Sequence, residues 1–163
     1  MKQFLTQLWS TIQNVISIFM RKEHKNWIDA DKDGLTTRQE VLFRDSISST
    51  IVKSEKGTIS IQGKWKCKYT NKLITQASQL DIDHIVPINY ARNNKVGLWS
   101  QARFTEFAND LSNLVAVEGS INREKGDRSI AEWLPPKNKQ WYKRRFREVC
   151  QKWNIRCKDS KKN

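Results

Sequence analysis

Two adjacent side chains, Asp83 and His84, are followed downstream by Asn113 and, nine residues on, by Asn122 in the run Asn122-Arg123-Glu124-Lys125-Gly126-Asp127. A histidine beside a carboxylate is suited to take up a proton near neutral pH. Carboxylate and amide oxygens are what a hard divalent cation binds. Hydrolysis of a phosphodiester needs a deprotonated water, charge stabilisation on the phosphate and relief of charge on the departing oxygen, which such groups can supply. In that chemistry His84 takes the proton from water, while Asp83 and Asn122 hold the cation. Asn113 closes the loop by bonding backbone near His84, and Arg123 and Lys125 steer the phosphates. Each residue also has a plainer reading: a polar pair at a strand end, a turn asparagine, an N-cap, a turn acid at Asp127. The spacing of the set, rather than any one member, favours chemistry.

The composition fits such a substrate. Among 163 residues, 30 Lys and Arg face 17 Asp and Glu, a formal net charge of +13. An excess of that size points to a polyanionic partner, because phosphate neutralisation supplies most sequence-independent affinity for nucleic acid. DNA is the expected partner, with RNA left open. At 37% hydrophobic and 29% charged residues, the chain reads as globular and long enough for one modest core. Cys67, Cys150 and Cys157 form no metal-binding pair, and with only His24 and His84 to assist they do not describe a zinc site. Their number favours a reducing compartment, with secretion as the alternative.

The elements that must position the site follow from pattern. Residues 1–26 read as an amphipathic helix with Phe4, Leu8, Ile12, Val15, Ile16 and Phe19 on one face, too polar to span a membrane. A short helix is expected before Asp45, then two strands around a turn at Gly57 within 47–63, and a further turn at Asn71. Residues 80–86 alternate and predict a strand ending at His84. Residues 89–97 read as a polar connection, 100–107 as a helix capped by Ser100, and 113–117 as a second strand. Ser129 is expected to cap a helix over 130–134, stopped by Pro135-Pro136. A basic helix over 141–153 carries Trp141, Phe146, Val149 and Trp153 on its apolar side. Arg38 and Asp45 are expected to form an ion pair. The fold class is α+β, divided as 1–26, 27–136 and 137–163.

Asp83-His84-Ile85-Val86-Pro87, Asn113 and the run from Asn122 to Asp127 resemble the HNH nuclease motif in its H-N-N form. The HNH domain of the RNA-guided CRISPR nuclease shows a similar pattern with the same asparagine spacing. The chain is more similar still to the small HNH nucleases related to the C-terminal domain of GmrSD restriction enzymes, many of them secreted. That likeness runs over about 27–136, through Trp27-Ile28-Asp29-Ala30-Asp31-Lys32-Asp33-Gly34, Thr37-Arg38-Gln39-Glu40-Val41-Leu42, Arg44-Asp45, Gly63-Lys64-Trp65, Tyr69-Thr70, the segment from Phe107 to Leu114, and Ala131-Glu132-Trp133-Leu134-Pro135-Pro136. The resemblance implies a ββα-metal core, one divalent ion (Mg²⁺ or Mn²⁺), His84 as general base, Asp83 and Asn122 as metal ligands, and Asn113 as the loop-orienting asparagine. It also implies products ending in 5′-phosphate and 3′-hydroxyl. Two departures stand out: Leu35 occupies a position where the family often has cysteine, and the stretch from His84 to Asn113 is long.

Two further features lie outside that site. Asp29, Asp31, Asp33, Gly34 and Glu40 fit the spacing of a twelve-residue calcium loop, although Thr36 replaces the usual aliphatic residue. A Ca²⁺ site and a capped acidic turn are both open, and so is a calcium-binding interaction module as an alternative class. The segment 137–163 carries eleven Lys or Arg and two acids, so Lys143, Arg144, Arg145 and Arg147 are candidates to track a phosphate backbone. A non-catalytic nucleic-acid-binding protein that keeps this scaffold is the other rival reading.

Overall fold

The computed structural model describes residues 27–158. The amphipathic segment 1–26, with His24, and the last five residues of the Lys-rich tail lie outside them.

The chain enters through an exposed turn at 29–34 and then forms α1 (Thr37–Asp45). Thr36 and Gln39 close a capping box, with the Gln39 carboxamide accepting from the Thr36 backbone N–H at 2.7 Å. Thr37, Val41 and Leu42, spaced to share one side of the helix, face the core. An antiparallel hairpin follows, β1 (Ser46–Lys53) and β2 (Ile59–Lys66), with the short β3 (Leu73–Ile74) beyond β2. Gly57 supplies the positive φ of 81° at the hairpin turn. Gly63 has a different reason: a Cβ there would lie 2.5 Å from the Ser48 carbonyl oxygen, beside the irregularity between Ser46 and Ser48.

A second, two-stranded sheet carries two of the site candidates, Asp83 and His84. β4 (Leu80–His84) pairs antiparallel with β5 (Leu114–Glu118), in a register that sets Asp83 opposite Val115 and His84 opposite Leu114. Between them run α2 (Ile88–Asn94) and α3 (Gln101–Ala108), and β5 passes directly into α4 (Gly119–Lys125). The expected polar connection at 89–97 is therefore largely helix. Tyr90 and Ala91 are buried, and the Tyr90 hydroxyl donates to the Arg156 carbonyl at 3.0 Å. The expected helix over 130–134 is a turn instead. Ser129 and Glu132 bond each other through Oγ and backbone N–H, and Pro135 disfavours helical backbone at Leu134.

The closing helix, α5 (Lys139–Trp153), belongs to the same core as the strands. Tyr142, Phe146, Val149, Cys150 and Trp153 are buried, while Trp141 is only half-buried. Tyr69, Trp133 and Tyr142 meet edge to face with centroids 5.4–5.5 Å apart. Asp110 ties α5 to the turn ahead of β5. Its carboxylate accepts from Lys152 Nζ (2.8 Å), Trp153 Nε1 (2.6 Å) and Ser112 (2.7 Å from the hydroxyl). Burial acts to raise that carboxyl's pKa, but these donors outweigh it and hold it below the usual range. The expected Arg38–Asp45 pair is not formed. Arg38 donates to the carbonyls of Ala77 and Leu80, and Asp45 pairs with Arg44 at 2.7 Å while accepting from Ala116 N–H.

Candidate active site

His84 ends β4 at the rim of a pocket of about 270 Å³ lined by Ile82, Asp83, Pro87, Ile88, Asn122, Lys125, Gly126 and Asp127. The strand end, the turn into α2 and the last turns of α4 thus bring His84 and Asn122 to one cavity although 38 positions separate them in sequence. His84 Nε2 lies 2.8 Å from the Ala108 carbonyl oxygen. A carbonyl only accepts, so this contact places the proton on Nε2. In the neutral ring the basic lone pair is then on Nδ1. The carbonyl that meets the ring comes from the end of α3, within the long 89–112 segment. The Trp27 ring stacks on His84, 5.7 Å between centroids and 17° between planes.

Asn113 is fully buried and bonds both backbone groups of Val86, accepting from its N–H at 2.8 Å and donating to its carbonyl at 3.1 Å. Its own carbonyl accepts from Ile85 N–H at 2.8 Å. These three bonds hold the turn just beyond His84, as expected from sequence. Asn122 is half-buried, and its Nδ2 lies 3.3 Å from Asp81 Oδ2. Arg123 is exposed, 3.9 Å from the same carboxylate.

Asp83 and Lys125 are placed differently from the reading above. Both are buried, Lys125 completely. Lys125 Nζ donates to Asp83 Oδ1 and to the His84 carbonyl, each at 2.8 Å, and the Tyr69 hydroxyl donates to Asp83 Oδ2 at 2.5 Å. Burial pushes the Asp83 carboxyl above its ordinary range, although Lys125 and Tyr69 pull it down. The Tyr69 and Tyr142 hydroxyls are raised far above theirs, by burial first and by the Asp83 charge second. Lys125 therefore neutralises a buried carboxylate and ties α4 to the end of β4, rather than reaching toward phosphates. The sequence offered Tyr69 only as part of the Tyr69-Thr70 likeness, not as a partner of Asp83, and it gave no sign of the Ala108 carbonyl. Tyr69 is distant in the chain, and a backbone oxygen leaves no mark on residue type.

Whether a hard divalent ion suits this pocket depends on its donors. Asn122 and Asp127 offer amide and carboxylate oxygens beside an imidazole, and no thiolate lines the wall, a set that suits Mg²⁺ or Mn²⁺ with water completing the shell. Asp83 does not fit as it stands, because an ion there would have to displace the Lys125 ammonium.

The acidic turn is a separate cluster. Asp29, Asp31 and Asp33 present oxygens within 4.8 Å of one another, and burial together with these three charges raises the Glu40 carboxyl. Each aspartate already accepts a backbone N–H: Gly34 on Asp29, Asp33 on Asp31, Leu35 on Asp33. Because the turn closes on its own bonds, calcium is expected to leave the melting temperature unchanged. A native-state ligand at a hundred times its dissociation constant would add about 2.7 kcal/mol. A calcium-dependent rise in the wild type that is absent in Asp31→Ala would make this loop a calcium site.

Among the described residues, no helix is long and apolar enough to cross a membrane. No solved structure matches the chain. A protein of Arthroderma benhamiae described as an uncharacterized secreted protein is 34% identical over 125 residues, covering 76% of this chain. The chain spans 59% of that relative's length. Residues 36–161 match the family model for the C-terminal domain of GmrSD restriction endonucleases. That match takes in both strands of the His84 sheet, α4 and the basic helix, and on it the chain belongs to the GmrSD C-terminal domain family.

Proposed function

We propose that this protein is an HNH-type endonuclease that hydrolyses DNA phosphodiester bonds, with β4, β5 and α4 as its ββα unit. The observation that carries the reading is the Nε2–Ala108 contact at the mouth of the Asn122 pocket, which leaves Nδ1 as the basic atom. In this mechanism His84 Nδ1 takes the proton from the attacking water. The imidazolium that forms keeps its Nε2–H on the Ala108 carbonyl, so the ring does not reorient as it charges. Asn113 holds the turn just beyond the ring, and Arg123, exposed beside Asp81 and outside the lining of the His84 pocket, meets phosphates flanking the scissile one. Lys125 and Asp83 act together as a buried neutral pair that stiffens the strand end. Asn122 is the proposed protein ligand for Mg²⁺ or Mn²⁺. When bound, such an ion would supply electrostatic stabilisation for the scissile phosphate.

Asn122→Ala should lose most Mg²⁺-dependent cleavage and regain part of it at raised Mn²⁺, while excess EDTA silences both proteins. Cleavage by this variant at wild-type rate and unchanged Mg²⁺ requirement would remove Asn122 from the metal site.

The family match supports nucleic acid as the substrate, and α5 offers a surface for its backbone. Arg144 and Arg147 are exposed and Lys143 is half-buried. Arg145 serves the fold instead, donating to the Ser112 carbonyl at 2.6 Å and pairing with Glu148 at 3.0 Å. Because α5 is part of the core, removing it would unfold the domain, so its charge must be tested by substitution. Changing Lys143, Arg144 and Arg147 together to Gln should reduce the salt slope of DNA binding by roughly three, about one per lost phosphate contact. An unchanged slope would move the DNA-binding surface elsewhere, first to the 89–112 segment.

A further inference from the structure

We propose that Trp27 is a positioning residue for His84, and that Asn109 couples it to the Ala108 carbonyl so that both restraints on the imidazole move as one unit. The proposal rests on His84 being the general base. The Nε2 contact with the Ala108 carbonyl lasts only while the ring keeps its orientation, and freedom to rotate would break it and, with it, the preference for one tautomer. The Trp27 face removes that freedom, because the two rings lie 17° from parallel at 5.7 Å. Together the two contacts hold the Nδ1 lone pair in one direction.

Trp27 is itself held. The next residue, Ile28, is bonded through both backbone groups: its N–H reaches Asn109 Oδ1 at 3.4 Å, and its carbonyl accepts from Thr37 N–H at 2.8 Å. The fully buried Thr37 hydroxyl lies 2.9 Å from both the Ile28 carbonyl and Asn109 Oδ1. Asn109 caps the C-terminal end of α3 and donates its amide to the Thr105 carbonyl at 3.0 Å. The residue before it is Ala108. One helix end therefore grips the strap that carries Trp27 and presents the oxygen that fixes His84. Apolar packing alone explains Trp27 against the core, but it does not explain this polar clamp behind it.

The test uses the full chain, with steady-state cleavage of supercoiled plasmid and ¹⁵N spectra of the imidazoles, where only His24 and His84 contribute. Trp27→Ala should lower kcat by about 10²-fold, the scale of a misplaced reacting group, with KM little changed. Trp27→Phe, which keeps an aromatic face, should recover most of the rate. His84 should pass from a single Nε2-protonated tautomer in the wild type to a mixture in Trp27→Ala. Asn109→Ala should shift kcat and tautomer in the same direction with Trp27 still present, and it decides the matter where Trp27→Ala does not fold. Wild-type kcat and an unchanged tautomer in the folded variants would overturn the proposal. Failure of the underlying reading looks different: His84→Ala would then cut at wild-type rate, whatever the tautomer does.

Discussion

Replacing His84 by alanine is expected to lower cleavage by about 10²–10⁴-fold, the usual contribution of a positioned base, while melting temperature and DNA affinity stay close to wild type. The side chain is half-buried at a pocket rim, so its removal opens no large cavity in the core. The loop around it is held from elsewhere, by Asn113 on Val86 and by Lys125 on the His84 carbonyl, which the substitution leaves in place. Affinity for DNA is expected to come from the net charge of +13, to which a neutral histidine adds nothing. Single-turnover rates, circular dichroism and a binding titration on one preparation check all three. A variant that cuts at wild-type rate would place the base elsewhere.

Lys125→Met should lower stability by about 3–5 kcal/mol, because it strands a buried carboxylate without its counter-charge. The ammonium is completely buried and reaches both Asp83 and the His84 carbonyl. The deficit should also depend on pH in a defined direction. Burial already raises the Asp83 carboxyl, and Lys125 is the strongest influence opposing it. Without Lys125 the folded-state pKa climbs further above the unfolded value. A raised carboxyl contributes stability that is fully present below the unfolded pKa and is lost as pH rises through the folded one. The variant should therefore be most impaired at neutral pH and recover toward acid. Urea unfolding at mildly acid and neutral pH measures this. A neutral-pH deficit no larger than the acid one would mean that Asp83 is not charged in the native protein.

Much of the site was legible because its geometry follows from period and spacing. The alternation Leu80-Asp81-Ile82-Asp83-His84 gives β4, and Asn113 lies at the point where β5 must turn to pair with it. Asn113 then bonds the Val86 backbone as its position suggests. What failed was tertiary. Asp83 reads as an open ligand until Tyr69 and Lys125, fourteen and forty-two positions away, close on it. The helix over Ile88–Asn94 was hidden by polar residues, since only Tyr90 and Ala91 are buried along it. The helix expected at 130–134 gave way to a Ser129–Glu132 turn beside Pro135.

Closed DNA circles distinguish hydrolysis inside the strand by a metal-dependent site from every other outcome. Supercoiled plasmid and circular single-stranded DNA, incubated with the purified chain in Mg²⁺, in Mn²⁺ and in excess EDTA, report internal cleavage alone. Nicked or linear product is expected from at least one circle with metal, none with EDTA, and none above background from His84→Ala. Circles that stay intact in both metals, or that are cut equally in EDTA, would contradict internal, metal-dependent hydrolysis.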